Sequence, residues 1–532
     1  MANRNLFGTT PIQVPNRSGF DLSHENMLTL KCGQLVPVMT DLLIPGDRVS
    51  VGSAFEIQLP PMATDFYGRV RFKMEAFFVP CRLLYGGWQK FMTSPTGNNA
   101  PSAASVSSML PYCVVPAANA SVLGRGSLAD YLGYKGTVNT RQRINNILRF
   151  VAYHKIYDDW YRDSRIQKPV FDEAVSVTTA QSLGVATLPF QGISSSSTLS
   201  YGEATKFADG VDLFSLRQRN WARDYFTNAT PLPQAGTGAS LSFDVANDSG
   251  SFTIASLRAA NSLQQWLERN NIAGNRYADQ IKAHFGVMPA DAVTQRAIYL
   301  GSSSSVIYNH SVYQTTSVDG SAAVSSNPFT TVGAKYASPI GSDKSSLVGD
   351  FSVTEFGYLM IIGSIVPDAV YATGINRDFF RLQVGDFAFP LLQGVGDQPI
   401  YKAELANVGV DGDTMSAMET FGYTQRFAEY KFMEDEVHGG LCDGQSLSAF
   451  ALKRSFGTLP NTTLGASFLE IPVTYLDDVA ATSVAVASDY GAWADIFFQY
   501  RKTSVLSAYT IPTLGDPHNT HIETLPTGGR RL

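Results

Sequence analysis

The chain has 532 residues, 44% of them hydrophobic and 11% aromatic but only 16% charged, with 45 Gly and 26 Pro. Its formal net charge of −6 excludes a molecule that binds nucleic acid electrostatically over its whole surface. Charge well below the usual ~25%, in a chain rich in aromatics, Ser, Gly and Thr, suits a β-rich protein that buries much of its surface against partners. The length favours several domains, yet no stretch reads as a linker, so one core with long insertions competes with that expectation. Cys32, Cys81, Cys113 and Cys442 share no metal-ligand spacing and read as free thiols in a reducing compartment. The N-terminal MANRNLFGTTPIQVPNRSG has no apolar signal region. The most apolar run, Leu359 to Val366, falls far short of the ~20 residues that span a bilayer, and the expectation is a soluble, cytoplasmically folded chain.

In chain order, the first thirty residues, punctuated by Pro11, Pro15 and Gly19, read as an extended arm. Two strands follow. Phe55, Ile57 and Leu59 alternate with Glu56 and Gln58, and Val70, Phe72, Met74, Ala76 and Phe78 alternate with Arg69, Arg71, Lys73 and Glu75. The basic face of the second strand is a solvated face or one turned toward a polyanion, and Arg69, Arg71 and Lys73 join Arg4 and Arg17 as candidates for facing such a polyanion. A small polar loop runs from Pro95 to Gly126. A helix is predicted over Arg141 to Tyr161, with Ile147, Val151, His154, Tyr157 and Tyr161 as its stripe and Trp160 alongside. His154 reads there as a hydrogen-bonded packing residue. Residues 172–210 are a long polar excursion of the kind that is usually functional.

The stretch LFSLRQRNWARDYFTNATPLPQ, Leu213 to Gln234, carries the densest signal. Ser215-x-x-Gln218 has the capping-box pattern, Trp221, Ala222 and Tyr225 recur at helical spacing, and Pro231 and Pro233 end the element. This predicts a short helix loaded with Trp, Tyr and Arg, the residues in which contact surfaces concentrate binding energy; packing within an ordinary domain is the other reading. A second capped helix is predicted from Ser262-x-x-Gln265, and a third over Arg276–Val287, ending at Gly286. Residues 301–350 are again Ser/Gly/Thr-rich. Strand candidates at Phe351–Val366, Thr424–Phe432, Ser467–Thr474 and Ala494–Val505 precede a polar tail, 516–532. Strands at both ends with helices in the connections suggest a barrel or sandwich with enlarged loops.

Chemistry-bearing patterns are weak. No phosphate-binding loop, nucleophile elbow or H-E-x-x-H is present. His518-x-x-His521 has no third ligand nearby, Asp411-Gly412-Asp413 reads as a turn, and Glu434-Asp435-Glu436 reads as an acidic turn. Asp158, Asp159 and Asp163 beside Arg162 and Arg165 read as ion pairing at a helix end. Catalytic residues, metals and cofactors are therefore not expected. Trp160, Arg162, Arg219, Trp221, Arg223, Tyr225, Phe226, Pro231 and Pro233 are candidates for a subunit interface.

Several long segments resemble, in order, the major capsid proteins of the Microviridae, in their gokushovirus-like branch. MEAFFVPCRLLYGGWQKF (Met74–Phe91) is similar to the strand-to-turn signature after the arm. SLADYLG (Ser127–Gly133) and FVAYHKIYDDWYRDSRIQ (Phe150–Gln167) follow, and LRQRNWARDYFTNATPLPQ resembles the family's "KDYFTS-LPWPQ". The segment Ser262–Ser305, FGYTQRFAEYKFMEDEVHG (Phe421–Gly439) and SVLSAYTIPTLGDPH (Ser504–His518) complete the set. Leu232 stands where the motif has its first Trp, and Ala235 where a basic residue follows. The resemblance implies a mainly β fold: an eight-stranded antiparallel viral jelly roll with long insertion loops carrying several helices. It implies an arm at 1–30, a single jelly-roll domain at 31–515 with large insertions at about 92–350, and a tail at 516–532. It further implies a 60-subunit T=1 homo-oligomer around circular single-stranded DNA, with minor virion and scaffolding proteins as partners, assembled in the host bacterial cytoplasm. One insertion, 172–210 or 301–350, would form a protrusion toward a host-surface receptor, and no membrane is involved. The alternative from another class is a β-sandwich carbohydrate-binding protein or glycosidase.

Overall fold

A computed structural model describes most of residues 17–171, 213–233, 254–307, 346–406, 419–477 and 491–508, together with short strands between them. Eight strands carry the architecture: β1 (His24–Leu30), β2 (Val36–Leu43), β3 (Arg48–Gln58), β4 (Val70–Pro80), β5 (Ile298–Ile307), β6 (Ser346–Ser352), β7 (Gly357–Pro367) and β8 (Ala492–Ser504). They form two antiparallel sheets, in the order β1-β8-β3-β6 and β2-β7-β4-β5. Consecutive strands thus alternate between sheets except at β4–β5, which is the strand order of a jelly roll. Ser18–Asp21 extends the first sheet along β8, and Lys335–Ala337 adds to β3.

The alternation read from the sequence sets the core between the sheets. Val51, Phe55 and Ile57 from β3 and Ile496, Phe498 and Tyr500 from β8 face Phe72, Met74, Leu359 and Ile361 from the second sheet. The outer face of that second sheet is buried as well. Phe77, Val79, Tyr358, Met360 and Ile362 pack against helix α1 (Leu148–Ile156) and against Leu213 and Phe214. Burial on both faces explains why β7 reads as an unbroken apolar run. A third cluster, around Tyr225, Phe226, Tyr371, Ile400, Phe421 and Phe468, lies largely within the connection between β7 and β8.

Local expectations fared unevenly. The predicted helix 141–161 begins only at Leu148, where Asn146 Oδ1 accepts from the Leu148 N–H, and residues 142–144 are a strand. Its last turn, Tyr157–Tyr161, widens to a π-helix, and the Arg162 N–H reaches Tyr157 O at 3.0 Å. Helix α2 (Ile254–Ala273) starts eight residues before Ser262, which is therefore interior to the helix and caps nothing. Helix α3 (Tyr277–Phe285) stops at left-handed Gly286, as predicted. Ser467–Thr474 is no strand: a helical turn, Ala466–Leu469, occupies its first half. The strand predicted at Thr424–Phe432 is Thr420–Gln425, and Phe427, at φ 61°, turns the chain into a 3-10 segment. The long strand Phe351–Val366 is two, β6 and β7, each in a different sheet. Arg4, Asp411–Asp413, His518 and His521 lie outside the described residues, as do most of 172–210, most of the connection between β5 and β6, and the tail.

Candidate functional site

The stretch from Leu213 to Pro233 is not a helix. Residues 217–221 are extended and laced between two other segments. The Leu35 N–H donates to Arg217 O at 3.0 Å, Arg219 N–H to Gly33 O at 2.7 Å, Trp221 N–H to Leu469 O at 2.8 Å, and Ile471 N–H to Arg219 O at 2.9 Å. With these backbone groups paired across chains, the i to i−4 ladder has nothing to gain. Gly33 permits the approach: its φ is +70°, and a Cβ there would lie 2.7 Å from Ile471. Beyond Trp221 the chain closes a tight turn. Asp224 Oδ1 accepts from the N–H groups of Phe226 (3.0 Å) and Thr227 (2.7 Å), and the Asp224 N–H donates to Thr227 Oγ1 (2.8 Å).

This clasp joins all three apolar clusters. Leu213 and Phe214 sit in the helix-side cluster, Trp221 between the sheets, and Tyr225, Phe226 and Ala229 in the third. Trp221 is only 4% exposed; Tyr475 meets its ring edge-on and Arg454 lies 4.7 Å from its centroid. Arg454 also contacts the rings of Tyr371, Phe456 and Phe468 and donates to Phe468 O and Tyr371 Oη. Tyr371 Oη donates in turn to Asp224 Oδ2 at 2.6 Å. The aromatic side chains expected on a helical contact face are interior, and that helical surface is corrected accordingly. Arg454, the hub of the cage, was not singled out from the sequence, where a lone Arg in Ala451–Phe456 carries no periodic signal.

Five of the nine interface candidates nevertheless converge. Trp160, Arg162, Arg219, Trp221 and Arg223 line one cleft of about 220 Å³, with Arg276. Beneath it is a buried ion-pair network. Arg219 Nη1 reaches Glu75 Oε2 at 2.7 Å, Lys73 Nζ reaches Glu75 Oε1 at 2.6 Å, and Tyr161 Oη donates to Glu75 at 2.6 Å. Burial would raise the Glu75 carboxyl, but Arg219 foremost, with Lys73 and Tyr161, holds it down to about 2. Arg162 pairs with Asp158 at 2.7 Å and Arg165 with Asp163 at 2.8 Å, the ion pairing expected at the end of α1. Trp160 donates to Ala297 O and is stacked by Arg296. Arg223, with its side chain 64% exposed, and the exposed Pro231 and Pro233 remain at the surface. Tyr225 and Phe226 are buried in the third cluster, away from the cleft.

His154 is a packing residue, as expected. Nε2 donates to Leu213 O at 2.9 Å while Nδ1 accepts from Arg217 Nε at 3.3 Å, which requires the neutral ring. Burial first and the Arg217 charge second lower it to about 3. Glu434, in the acidic turn, accepts from the Tyr225 N–H at 3.0 Å and is raised to about 7 by burial and then by Asp224.

The basic face of β4 is largely neutralised. Arg71 forks onto Asp368 at 2.7 and 2.9 Å, and Lys73 is committed to Glu75. Arg69 is exposed, with Asp368 at 3.9 Å, and Arg17 is exposed at the start of the described chain. Among the described residues no group of three or more His, Cys, Asp or Glu is placed to hold a metal ion, and no helix is long and apolar enough to cross a membrane. Cys32, Cys81 and Cys442 are free thiols.

A jelly roll with a clasped interior and no convergent catalytic groups among the described residues directs attention to assembly, and the comparison with known families agrees. Residues 10–248 and 239–514 match the family described as capsid protein (F protein). The chain belongs to that family. Its relatives include capsid protein VP1 of Chlamydia phage 1, 27% identical over 96% of this chain and 98% of the relative. VP1 of Bdellovibrio phage phiMH2K is 24% identical over the same shares, and VP1 of Spiroplasma virus 4 is 26% identical over 84% of this chain and 86% of its own length. The resemblance to gokushovirus-like Microviridae is thereby borne out, and the carbohydrate-binding or glycosidase alternative is displaced. In this chain the long connections follow β4, β5 and β7.

Proposed function

We propose that this capsid protein assembles as 60 copies into a T=1 shell enclosing circular single-stranded DNA, in the cytoplasm of a bacterial host, and acts as a structural protein without catalysis. The observation that carries this reading is the jelly-roll strand order in a chain whose length matches the capsid family almost end to end. The jelly-roll unit expected at 31–515 begins earlier, since Ser18–Asp21 and β1 pair with β8, and it acts as one unit to which the residues before it and the tail after it contribute contacts. Arg223, Pro231 and Pro233, at the exposed rim of the clasp, meet neighbouring copies, and Arg17 and Arg69, with Arg4, meet the DNA. Inward-facing Lys and Arg outnumber inward-facing Asp and Glu, because an acidic chain that encloses a polyanion must sort its charge by face. A protrusion built from 172–210, or from the chain between β5 and β6, engages the host surface, and minor virion and scaffolding proteins accompany assembly.

Sedimentation and nuclease protection of the chain expressed with its phage partners test this reading. Closed particles that protect single-stranded DNA are expected. A persistent monomer that binds or cleaves glycans would overturn it.

A further inference from the structure

The connection between β7 and β8 carries a strap, residues 377–392, that is apolar and faces outward. It is a chain of 3-10 turns: Arg377–Phe380, Val384–Asp386 and Pro390–Leu392. Phe379, Leu382, Val384, Phe387, Phe389 and Leu391 are all exposed, Leu391 to 91%, and Phe432 and the 98% exposed Met433 stand on the neighbouring segment. Scattered apolar residues on a surface need no explanation, but a contiguous group does.

The strap is held rigidly in this outward pose. Arg381 lies over the rings of Phe387 (5.4 Å) and Tyr430 (4.5 Å), donates to Tyr430 Oη, and pairs with Asp378 at 2.8 Å. Asp386 Oδ2 accepts from the N–H groups of Leu382 and Gln383 at 2.9 and 2.8 Å. Arg426 Nη2 donates to Gly385 O at 2.9 Å, tying the strap to the turn that carries Tyr430 and Phe432. Arg377 anchors its start to Glu404 (2.6 Å) and Pro399 O (2.7 Å). Much of the strap's hydrogen bonding is thus internal, and its solvent-facing side is mostly apolar, with Asp378, Gln383 and Asp386 as its exposed polar side chains. An arrangement of this kind has already met the ordering cost that binding would otherwise exact.

We propose that this strap, with Phe432 and Met433, is a contact surface for a second copy of the chain. The inference rests on the capsid reading and deepens it by naming a surface. Three observations select the occupant. The exposed charged side chains of the strap, Asp378 and Asp386, are both acidic, so the surface repels a nucleic-acid backbone. The exposed aromatics alone present roughly 500 Å², and the aliphatic residues bring the patch near the ~800 Å² that each partner contributes to a stable protein interface. In a capsid family the partner present at highest concentration is the chain itself. The contact lies outside the clasp, where the aromatic and arginine signal of the sequence had pointed.

The test uses the full chain carrying Leu391→Asp or, separately, Met433→Asp. Both positions are almost wholly exposed, so the free subunit is expected to melt at the wild-type temperature. Particle yield by sedimentation is expected to fall by roughly tenfold or more, the loss that follows from about 1.4 kcal/mol at a contact. Wild-type particle yield from both variants would overturn the proposal and leave the capsid reading standing. Particles that form normally but no longer protect DNA would also overturn it, by making the strap a nucleic-acid surface. A wild-type chain that never forms particles would overturn the capsid reading and the strap with it. Variants that melt lower than the wild type would overturn it in favour of the strap as part of the subunit's own core.

Discussion

The clasp and the strap carry the same kinds of residue and do opposite things. The clasp, 213–230, holds Trp, Tyr, Phe and three Arg, and its aromatics are interior. The strap holds Phe, Leu and two Arg, and its apolar side chains face solvent. The difference lies in where the polar groups are spent. In the clasp, backbone N–H and C=O groups pair with residues 33–35 and 469–471, and Arg219 crosses to Glu75 on another element, so the backbone stays paired as the side chains fold inward, while Trp221 Nε1 is buried without a hydrogen-bond partner. In the strap, the turns close on themselves and Arg381 braces neighbours within the same surface, so the side chains are left pointing away. Composition alone therefore does not distinguish a contact surface from a seam between cores.

The largest expected effect that would sharpen this contrast is at Trp221. Trp221→Ala removes a ring shared by Arg454 and Tyr475 and should lower the stability of the isolated subunit by about 3–5 kcal/mol, read as a drop in chemical or thermal midpoint. If the free subunit kept its midpoint and only assembly failed, the clasp would be a contact surface after all. Glu75→Gln should follow closely. It leaves Arg219 and Lys73 facing a neutral amide in a buried site and should cost about 3 kcal/mol, with the conservative Glu75→Asp retaining part of the loss.

The pH profile tests the same interior. His154 is lowered from 6.5 to about 3, so its neutral folded form loses stability as pH falls below 6.5. Glu75 is lowered from 4.5 to about 2, so its contribution is complete above 4.5 and is lost as pH falls toward 2. Glu434 is raised from 4.5 to about 7 and works the other way, gaining stability as pH falls from 7 to 4.5. The two opposed groups should leave the melting temperature of the wild type nearly level between pH 7 and 4.5, with a steep decline below. His154→Gln should turn the level portion into a rise on acidification, and Glu434→Gln should turn it into a fall. Unchanged profiles in both variants would mean these groups titrate at ordinary values. The smallest effect belongs to the clasp turn. Asp224→Ala removes two backbone acceptor contacts and the Tyr371 partner and should cost about 1–2 kcal/mol.

Much of the jelly roll was legible because its strands obey simple periodicity. Residues 55–58 and 70–78 alternate within strands with the expected apolar residues inside, and Leu59 is buried just past the first. Gly286 marked the end of α3 through its left-handed conformation. What failed were signals whose outcome depends on distant residues. The Ser215 capping pattern lost to pairing with Gly33 and Leu469, more than 180 positions away in one direction and more than 240 in the other, as subtraction of the residue numbers shows. Ser262 matched a capping box inside a helix that begins at Ile254. The charged face of β4 read as solvated, and Glu75 is buried because a connection of more than two hundred residues, between Pro80 and Ile298, folds back over it. The strap escaped notice because its apolar residues follow no helix or strand period, being set by successive 3-10 turns.

Hydrogen exchange on the free subunit and on assembled particles measures the central distinction directly. The amides of Arg219, Trp221, Thr227 and Thr230 are expected to be protected equally in both states, since their partners lie within the chain. Amides of the strap and of residues 430–433, paired within their own turns, are expected to be partly protected in the free subunit and to gain further protection in particles. The reverse pattern, a clasp that exchanges freely until particles form and a strap that does not change, would contradict the account.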